Sequence, residues 1–253
     1  MVDKSQQVSG LATARKLILD LTEDIPVIAS RPCYAQGTKV IYDLHFPCEM
    51  GIVLSGCFRR IERDREYVLE RGMFWWHGSW EPHGWSAEKR STALVFVFLP
   101  SLLHCFSGLH LPPYLPFIRP DIRPTLQPRD IGSKKDMIKR SNSFFSQIQA
   151  MKPGWRDVAA LDLARIVSES LRGMKLLATG SQFLCESDAD RILAASEYIH
   201  VNLAEKLTLA RVAQAHGMGR TRFAQMFQRV MGRTFGVYVI NSRLERARRD
   251  IIR

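Results

Sequence analysis

Six prolines between residues 110 and 130 separate two parts of the chain that differ in residue pattern. They are Pro112, Pro113, Pro116, Pro120, Pro124 and Pro128. Proline fixes φ and has no backbone N–H, so this density predicts an extended linker or wrapping segment rather than a helix or a central strand. The chain is therefore expected to change its type of structure at this segment.

The part before the prolines has the pattern of short β-strands. Between about residue 25 and residue 99, β-branched and aromatic residues form short runs that Gly, Pro and Asp interrupt, for example at 52–54 and 94–98. Strands at this spacing predict a sandwich or a small barrel. Residues 10–21, ahead of these strands, are interpreted as a short helix.

The part after the prolines has helical periodicity. A broad apolar stripe indicates a helix between residues 155 and 171, and a further helix is predicted over 134–148. Ser187 and Asp188 provide the capping signal for another helix. The predicted fold class is therefore α+β, with three regions that cover residues 1–125, 126–186 and 187–253.

The net charge is concentrated near the C-terminal end. The whole chain carries 36 Lys and Arg against 25 Asp and Glu, a formal charge of +11. The last 48 residues hold eleven basic and two acidic residues, which accounts for nine of those charges. Charge confined to one segment is typical of a module that binds a polyanion. We expect nucleic acid here, in preference to a membrane surface or an ordinary solvated face.

Two helices joined by a tight turn are predicted within this basic segment. Thr208 can cap a helix that continues to His216, and a second helix follows over 220–230. Gly217 lies where the turn favours positive φ. Ala213 lies four residues earlier, where two helices that cross steeply need a small side chain. This spacing predicts a helix-turn-helix.

The second of these helices has two distinct faces. Phe223, Phe227 and Val230 form an apolar inner face, whereas small, amide and guanidinium side chains occupy the opposite face and its flanks. The predicted DNA-binding residues are Arg220, Thr221, Arg222, Ala224, Gln225, Gln228 and Arg229. Such a face suits the major groove, with Gln225, then Arg220 or Arg222, reading base edges and Arg229 binding phosphate. The alternative is an ordinary solvated helix face.

One set of residues from position 207 onward matches a known pattern. It comprises Leu207 to Ala213, Gly217, Met218, Phe223, Met226, Phe227, Gly232, Phe235, Tyr238, Val239, Arg243, Leu244 and Ala247. The set resembles the first half of the DNA-binding domain of AraC-type transcription regulators. In that family a long helix, which here begins near Thr234, joins two helix-turn-helix units. The resemblance implies a chain truncated after the first unit and linker helix, with Gly219 where the family usually has Ser or Thr.

Residues 38–100 contain a second recognisable pattern. Its members are Asp43, His45, Glu49 and Gly56, followed by Gly72, Gly78 and His83. They resemble the two motifs of the cupin-like β-barrel that AraC-type regulators often carry, with Asp43 in place of the first His. The resemblance implies that His45, Glu49 and His83 converge inside the barrel, where they form a reasonable divalent metal set. Because the first His is missing, no metal or other cofactor is predicted.

Four of the five tryptophans lie within eleven residues, at Trp75, Trp76, Trp80 and Trp85. Indole faces stack on sugars and planar ligands, although adjacent strand residues such as Trp75 and Trp76 cannot both line one pocket. The predicted effector-binding residues are His45, Arg59, Trp75, His77, Trp80, His83 and Trp85. A sugar-like effector is favoured over another small molecule or simple core packing.

Together these patterns predict a DNA-binding transcription regulator, an activator by family resemblance, whose barrel binds a small-molecule effector. The helix over 155–171 is the expected homodimer interface, with packing inside one chain as the alternative. No apolar run approaches the ~20 residues of a membrane span and no export signal is present, so cytoplasmic location is expected.

Two other functions remain open at this stage. One is a metal-dependent cupin enzyme with a DNA-binding appendage, and the other is a truncated regulator that acts only through dimerisation. No Gly-rich phosphate loop and no G-x-S-x-G elbow occurs, so no catalytic residue is assigned and the chain is not expected to be an enzyme. Five cysteines without a CxxC pair argue against a disulfide framework or a structural zinc site.

Overall fold

The computed structural model describes residues 14–17, 19, 21–22, 24–62, 65–100, 102–103, 113–118, 120–172, 186–231 and 233–252. Ten strands fill its N-terminal part: β1 (Arg15–Lys16), β2 (Val27–Ser30), β3 (Cys33–Tyr34), β4 (Thr38–Leu44), β5 (Cys48–Ser55), β6 (Cys57–Glu62), β7 (Arg65–Glu70), β8 (Phe74–His77), β9 (His83–Ala87) and β10 (Ser91–Phe98). Helices follow, so the α+β class is confirmed.

The strands form two sheets that face each other. The first has the order β1-β4-β9-β6-β7, and the second has the order β2-β10-β5-β8 with β3 also paired to β10. All pairs are antiparallel except β1 with β4. Side chains from both sheets share a core that includes Val53, Phe58 and Trp75. These sheets are called the sandwich below.

The expected closed barrel is not observed. Within the described strands, no hydrogen-bonded pair joins one sheet to the other. The consecutive strands β5 and β6 belong to different sheets, and so do β7 and β8. Gly56, between β5 and β6, adopts φ 74°, a left-handed conformation that glycine accepts without strain. The sharp turns thus carry the chain across the core rather than extending one sheet around it.

The structure contradicts the short helix interpreted over residues 10–21. Arg15–Lys16 form β1, which pairs in parallel register with Asp43 and Leu44 of β4. The Arg15 guanidinium lies 2.9 Å from the Asp43 carboxylate. A contact with a distant strand therefore overrides the local pattern. Residues 10–13 lie outside the described part of the chain.

The proline segment also differs from the prediction of an extended linker. Residues Leu115–Ile118 form helix α1, and Pro120–Leu126 form a 3₁₀-helix that contains Pro124. Proline is compatible with the first turn of a helix, because the N–H that it lacks has no helical partner there. Pro116 and Pro120 therefore fit the first turns of these two short helices, whereas Pro124 lies inside the 3₁₀-helix. Pro112 lies outside the described residues.

Two long helices follow this segment. Helix α2 (Ile131–Ala150) begins earlier than the predicted 134–148, because the Asp130 side chain caps it by accepting from the Ser133 N–H. Helix α3 (Trp155–Leu171) has the predicted bounds and packs against α2. In turn, α2 covers the outer face of the second sheet, where Phe144 stacks on Phe96 with ring centroids 4.6 Å apart.

The described residues after position 185 form four helices: α4 (Glu186–Val201), α5 (Leu209–Ala215), α6 (Arg220–Met231) and α7 (Phe235–Ile252). As predicted, the Thr208 side chain caps α5 by accepting from the Arg211 N–H, and Gly217 adopts φ 64°. The predicted cap by Ser187 concerns a side chain outside the described part. None of the described helices has the length and apolar character needed to cross a membrane.

Candidate functional site

A cluster of ionisable side chains lies buried between the two sheets. We call it the interior cluster; its members are His45, Glu49, Arg60, Glu62, His77, Glu81, His83 and Arg123, each at most 9% exposed. Strands β5, β6, β8 and β9 supply most of these residues from facing sheets. Burying so many ionisable groups is costly unless each is paired, so their arrangement constrains what the sandwich can bind.

The backbone keeps a proton on the Nδ1 atom of two histidines in the interior cluster. The Nδ1 of His45 lies 2.9 Å from the Pro47 carbonyl oxygen, and the Nδ1 of His83 lies 2.9 Å from that of Glu81. A carbonyl oxygen only accepts, so both Nδ1 atoms carry a proton. Both Nε2 atoms then face the same carboxylate oxygen of Glu49, at 3.3 Å from His45 and 3.8 Å from His83.

This donor set fits a divalent transition metal. The ligand atoms of His45, Glu49 and His83 lie within 4.8 Å of one another. Histidines that bind metals usually donate the other ring N–H to a carbonyl or a carboxylate, as both do here. Asp43, which replaces the first motif His, does not join them, because its carboxylate accepts from Arg15 and from the Trp85 indole N–H. A metal would therefore have three protein ligands.

The other half of the interior cluster contains its own cation. The Arg123 guanidinium donates to Glu62 at 3.2 Å and to both oxygens of Glu81 at 2.8 and 2.6 Å. Ligand atoms of Glu62, His77 and Glu81 are also close enough together to hold a metal. Because Arg123 already pairs with both carboxylates, this second set is better described as a structural ion-pair network.

Burial dominates the protonation of the buried histidines. It lowers the pKa of His77 well below 6.5 and that of His83 to about 4, so both rings are neutral at pH 7. Burial also raises the pKa of Glu62. Burial would likewise raise the pKa of Glu49, but the hydrogen bond with His45 and the charge of Arg60 outweigh it and hold that pKa well below its ordinary value.

The structure brings some of the predicted effector residues together and separates others. His45, His77 and His83 converge in the interior cluster, with the His77 and His83 rings stacked 4.0 Å apart. The Trp75 indole lies over Gly51, which has no side chain to obstruct it, and donates to Glu49 at 2.6 Å. These four residues line one interior region.

The remaining three predicted effector residues point elsewhere. Arg59 forms ion pairs with Glu66 and Glu88 outside the interior cluster. The Trp85 ring packs on Tyr34 at 4.3 Å. The Trp80 ring lies beneath the Arg233 guanidinium, in the connection between α6 and α7. The four tryptophans therefore do not line one shared pocket.

Arg60, Glu62 and Arg123 are central to the interior cluster but were not predicted from the sequence. Strand alternation is the signal that identifies the first two, because Phe58, Arg60 and Glu62 of β6 share one face. No comparable signal exists for Arg123, which enters the sandwich from the 3₁₀-helix in the proline segment.

A second candidate surface lies on helix α6. Phe223 and Phe227 are fully buried on its inner side, and Arg220, Thr221, Gln225, Gln228 and Arg229 are exposed on the other. Ala224 is half-buried between the two faces. Neither Arg220 nor Arg229 makes an ion pair with any residue that the structure describes. We call this exposed set the α6 face.

Arg222 differs from the other predicted DNA-binding residues. Its Nε and Nη2 atoms donate to the Asp188 carboxylate of α4 at 2.9 and 2.6 Å. Asp188 is buried and pairs with no other cation among the described residues. Arg222 therefore joins α6 to α4 in this conformation rather than presenting a free guanidinium.

The likeness of this chain to known proteins is partial. No family model and no curated protein matches it. Among solved structures, the AraC-like transcriptional activator CuxR is 15% identical with a TM-score of 0.34, over 88% of this chain and 77% of that chain. A cupin superfamily protein from Desulfitobacterium hafniense is 14% identical with a TM-score of 0.29, over 33% and 74%. An HTH_3 family transcriptional regulator from Vibrio cholerae is 16% identical with a TM-score of 0.29, over 32% and 48%. These TM-scores are all below 0.5, so the case for a function rests on the residues of this chain.

Proposed function

We propose that this chain is a sequence-specific, DNA-binding transcription regulator of AraC type. The observation that carries the proposal is the α6 face. It exposes amides, and arginines without an ion-pair partner among the described residues, on a helix whose other side is fully buried. Base edges in the major groove are read by such amides and guanidinium groups, and cations at the margin bind phosphates. The excess of nine positive charges in the last 48 residues supports a polyanionic partner.

Helix α5 and the turn that follows it support the same use of α6. The Thr208 cap and the positive φ of Gly217 set the direction in which the chain enters α6. The α5 side chains Val212 and Ala213 are buried, so α5 serves as the support behind α6. A rigid support is what a recognition helix needs in order to hold its side chains against base edges.

The sandwich is the proposed effector-binding part of the regulator. Its interior presents imidazole, carboxylate, guanidinium and indole groups, which together donate and accept hydrogen bonds as a sugar-like molecule requires. An effector that enters would exchange hydrogen bonds with Glu49, Arg60 and the histidines. We propose that its occupancy changes how the α6 face is presented to DNA, with activation as the expected sign.

Selection of random duplex DNA on the purified chain at about 150 mM salt tests this function, because phosphate-only binding is already strongly weakened there. Enrichment of one short motif is the expected result. Binding that appears only at low salt, without enrichment, would show that the chain has basic charge but no base recognition. A chain that dimerises without binding DNA would instead be a regulator that acts only through mixed dimers.

A metal-dependent cupin enzyme is the second candidate, and the His45, Glu49 and His83 set favours it. Those residues would hold the metal, which would supply a Lewis acid within the sandwich. This candidate requires metal retained after mild chelation, together with turnover that is lost in His83→Gln. Purified protein that lacks both would exclude it.

A further inference from the structure

Arg233 is a half-buried cation for which the described part of the chain supplies no carboxylate partner. It lies in the short connection between α6 and α7, two residues after α6 ends. Its guanidinium donates to the backbone carbonyl of Trp80 and lies over the Trp80 ring, 5.2 Å from the centroid. Burial lowers the pKa of Arg233. A cation held only by a carbonyl and an aromatic face is incompletely compensated, so an anion can compete for it.

Trp80 holds this contact from a constrained position in the sandwich. It is 2% exposed and adopts φ 58°, a conformation that residues other than glycine rarely populate. Its backbone N–H donates to the His45 carbonyl oxygen at 2.8 Å. Strained residues persist where surrounding contacts hold them, and they are common at clamps and switches. The position of Trp80 is therefore tied to a residue of the interior cluster.

The helices on the other side of the contact are those that support the α6 face. The ring of Phe46, which follows His45, lies 4.1 Å from that of His200 in α4 and 6.0 Å from that of Tyr238 in α7. Arg233 lies between α6 and α7 at the same junction. Arginine is well suited to bind phosphate through its planar guanidinium, and Arg233 directly follows the helix that is proposed to bind DNA.

We propose that Trp80 and Arg233 form an intramolecular latch that withholds Arg233 from a DNA phosphate. The inference rests on the proposed DNA-binding function and assigns Arg233 as a further phosphate-binding residue. When the latch is closed, Arg233 contacts Trp80 of the sandwich and does not contact DNA. When it opens, the chain gains one phosphate contact.

The test compares DNA affinity as a function of salt for four full-length proteins: wild type, Trp80→Leu, Arg233→Gln and the double variant. Trp80→Leu keeps apolar volume in the core while removing the aromatic face. Its affinity for the selected duplex is expected to rise by about two- to fivefold, the worth of the lost cation–π contact. Its plot of log affinity against log salt is expected to steepen by up to about 0.9, the value of one added phosphate contact, because the backbone carbonyl of residue 80 can still accept from Arg233.

The double variant separates the latch from a general effect on folding. Because Arg233 is required for the gain, the double variant is expected to match Arg233→Gln in both affinity and slope. Arg172→Gln removes an exposed arginine of similar charge, next to Glu169 on α3, and is expected to leave affinity and slope unchanged. If Trp80→Leu does not fold, Trp80→Phe tests the same slope with a smaller ring and a gain of about twofold.

Unchanged affinity and slope in the folded Trp80 variant, while the wild type binds its motif, would overturn the latch alone. A gain that persists in the double variant would also overturn it, because Arg233 would not be its source. If the wild type shows no motif-specific binding, the proposed function fails and the latch fails with it.

Discussion

Arg123 is the cation that pairs with the buried carboxylates of Glu62 and Glu81. It is 4% exposed, and its guanidinium reaches both carboxylates and the Pro116 carbonyl oxygen. A buried ion pair need not stabilise a protein relative to an apolar core, but breaking one leaves an uncompensated charge. The conformation of the proline segment and that of the sandwich interior thus depend on the same residue.

Arg123→Met should therefore be strongly destabilising. It leaves two buried carboxylates without their shared cation, and such losses cost about 3–5 kcal/mol. Urea denaturation measures the change in the free energy of unfolding. Arg172→Met, at an exposed ion pair with Glu169, is the matched control and should change stability by less than about 0.5 kcal/mol. Equal effects of the two substitutions would contradict the assigned role of Arg123.

Stability should fall as pH decreases from 6.5 toward 4 in the presence of a chelator. The folded state keeps His83 neutral down to about pH 4, whereas the unfolded chain protonates it below about 6.5. The unfolded state then binds more protons, so the contribution is fully present above pH 6.5 and is lost as pH falls. The loss for this group is about 3 kcal/mol at most.

His83→Gln isolates this contribution from the neighbouring His45, Glu49, Arg60 and His77. Denaturation curves between pH 7 and pH 4 should be flatter for the variant than for the wild type. Parallel curves would show that His83 is not held neutral by burial.

Gly217 sets the turn between α5 and α6. Its φ of 64° lies in the left-handed region, where a Cβ is unfavourable. Gly217→Ala should cost about 1–2 kcal/mol of unfolding free energy, measured by urea denaturation, and should weaken DNA binding by misdirecting α6.

Gly219→Ser is the matched control, because position 219 has open space and Ser caps helices well. It should leave stability unchanged or raise it by a few tenths of a kcal/mol. A Gly217→Ala protein as stable as the wild type would contradict this account of the turn.

The elements differ in how far the sequence predicts them. Helices α3, α5 and α6 follow from apolar periodicity, the Thr208 cap and Gly217, which are all local signals. The sheet arrangement does not follow, because strand pairing joins residues far apart, as β1 and β4 show. The same holds within the site. The motif spacing predicts the convergence of His45, Glu49 and His83, whereas Arg123 enters from a segment that carries no strand or helix signal.

One of the contacts between the helical and β parts of the molecule joins the residue following His45 to the helices around α6. Phe46 contacts His200 and lies near Tyr238 there, and Trp80 holds Arg233. If the interior cluster binds an effector as proposed, a shift of the cluster therefore has a short physical route to the proposed DNA-binding region. Such a route becomes allosteric only when the two ends are shown to affect each other.

Association of two chains through α3 is the expected arrangement for binding paired half-sites. Most of the apolar side of α3 is buried within the chain, and Val158 and Leu161 remain exposed at 40% and 63%. Leu161→Glu should therefore shift a dimer toward monomer in sedimentation at micromolar concentration. Val68→Glu introduces the same charge at an exposed apolar residue of β7, on the sandwich, and should leave the dimer intact. A wild-type monomer would favour packing inside one chain as the only role of α3.

The most direct test of the account is the specificity ratio of Gln225→Ala, meaning the affinity for the selected duplex divided by that for duplexes with single base changes. If Gln225 reads a base edge, the variant should lose about 1–3 kcal/mol on the selected duplex and tolerate substitution at one base pair. Arg229→Gln should instead weaken binding to all duplexes alike. A Gln225→Ala protein that keeps the full sequence preference of the wild type would contradict the assignment of the α6 face as the DNA-reading surface.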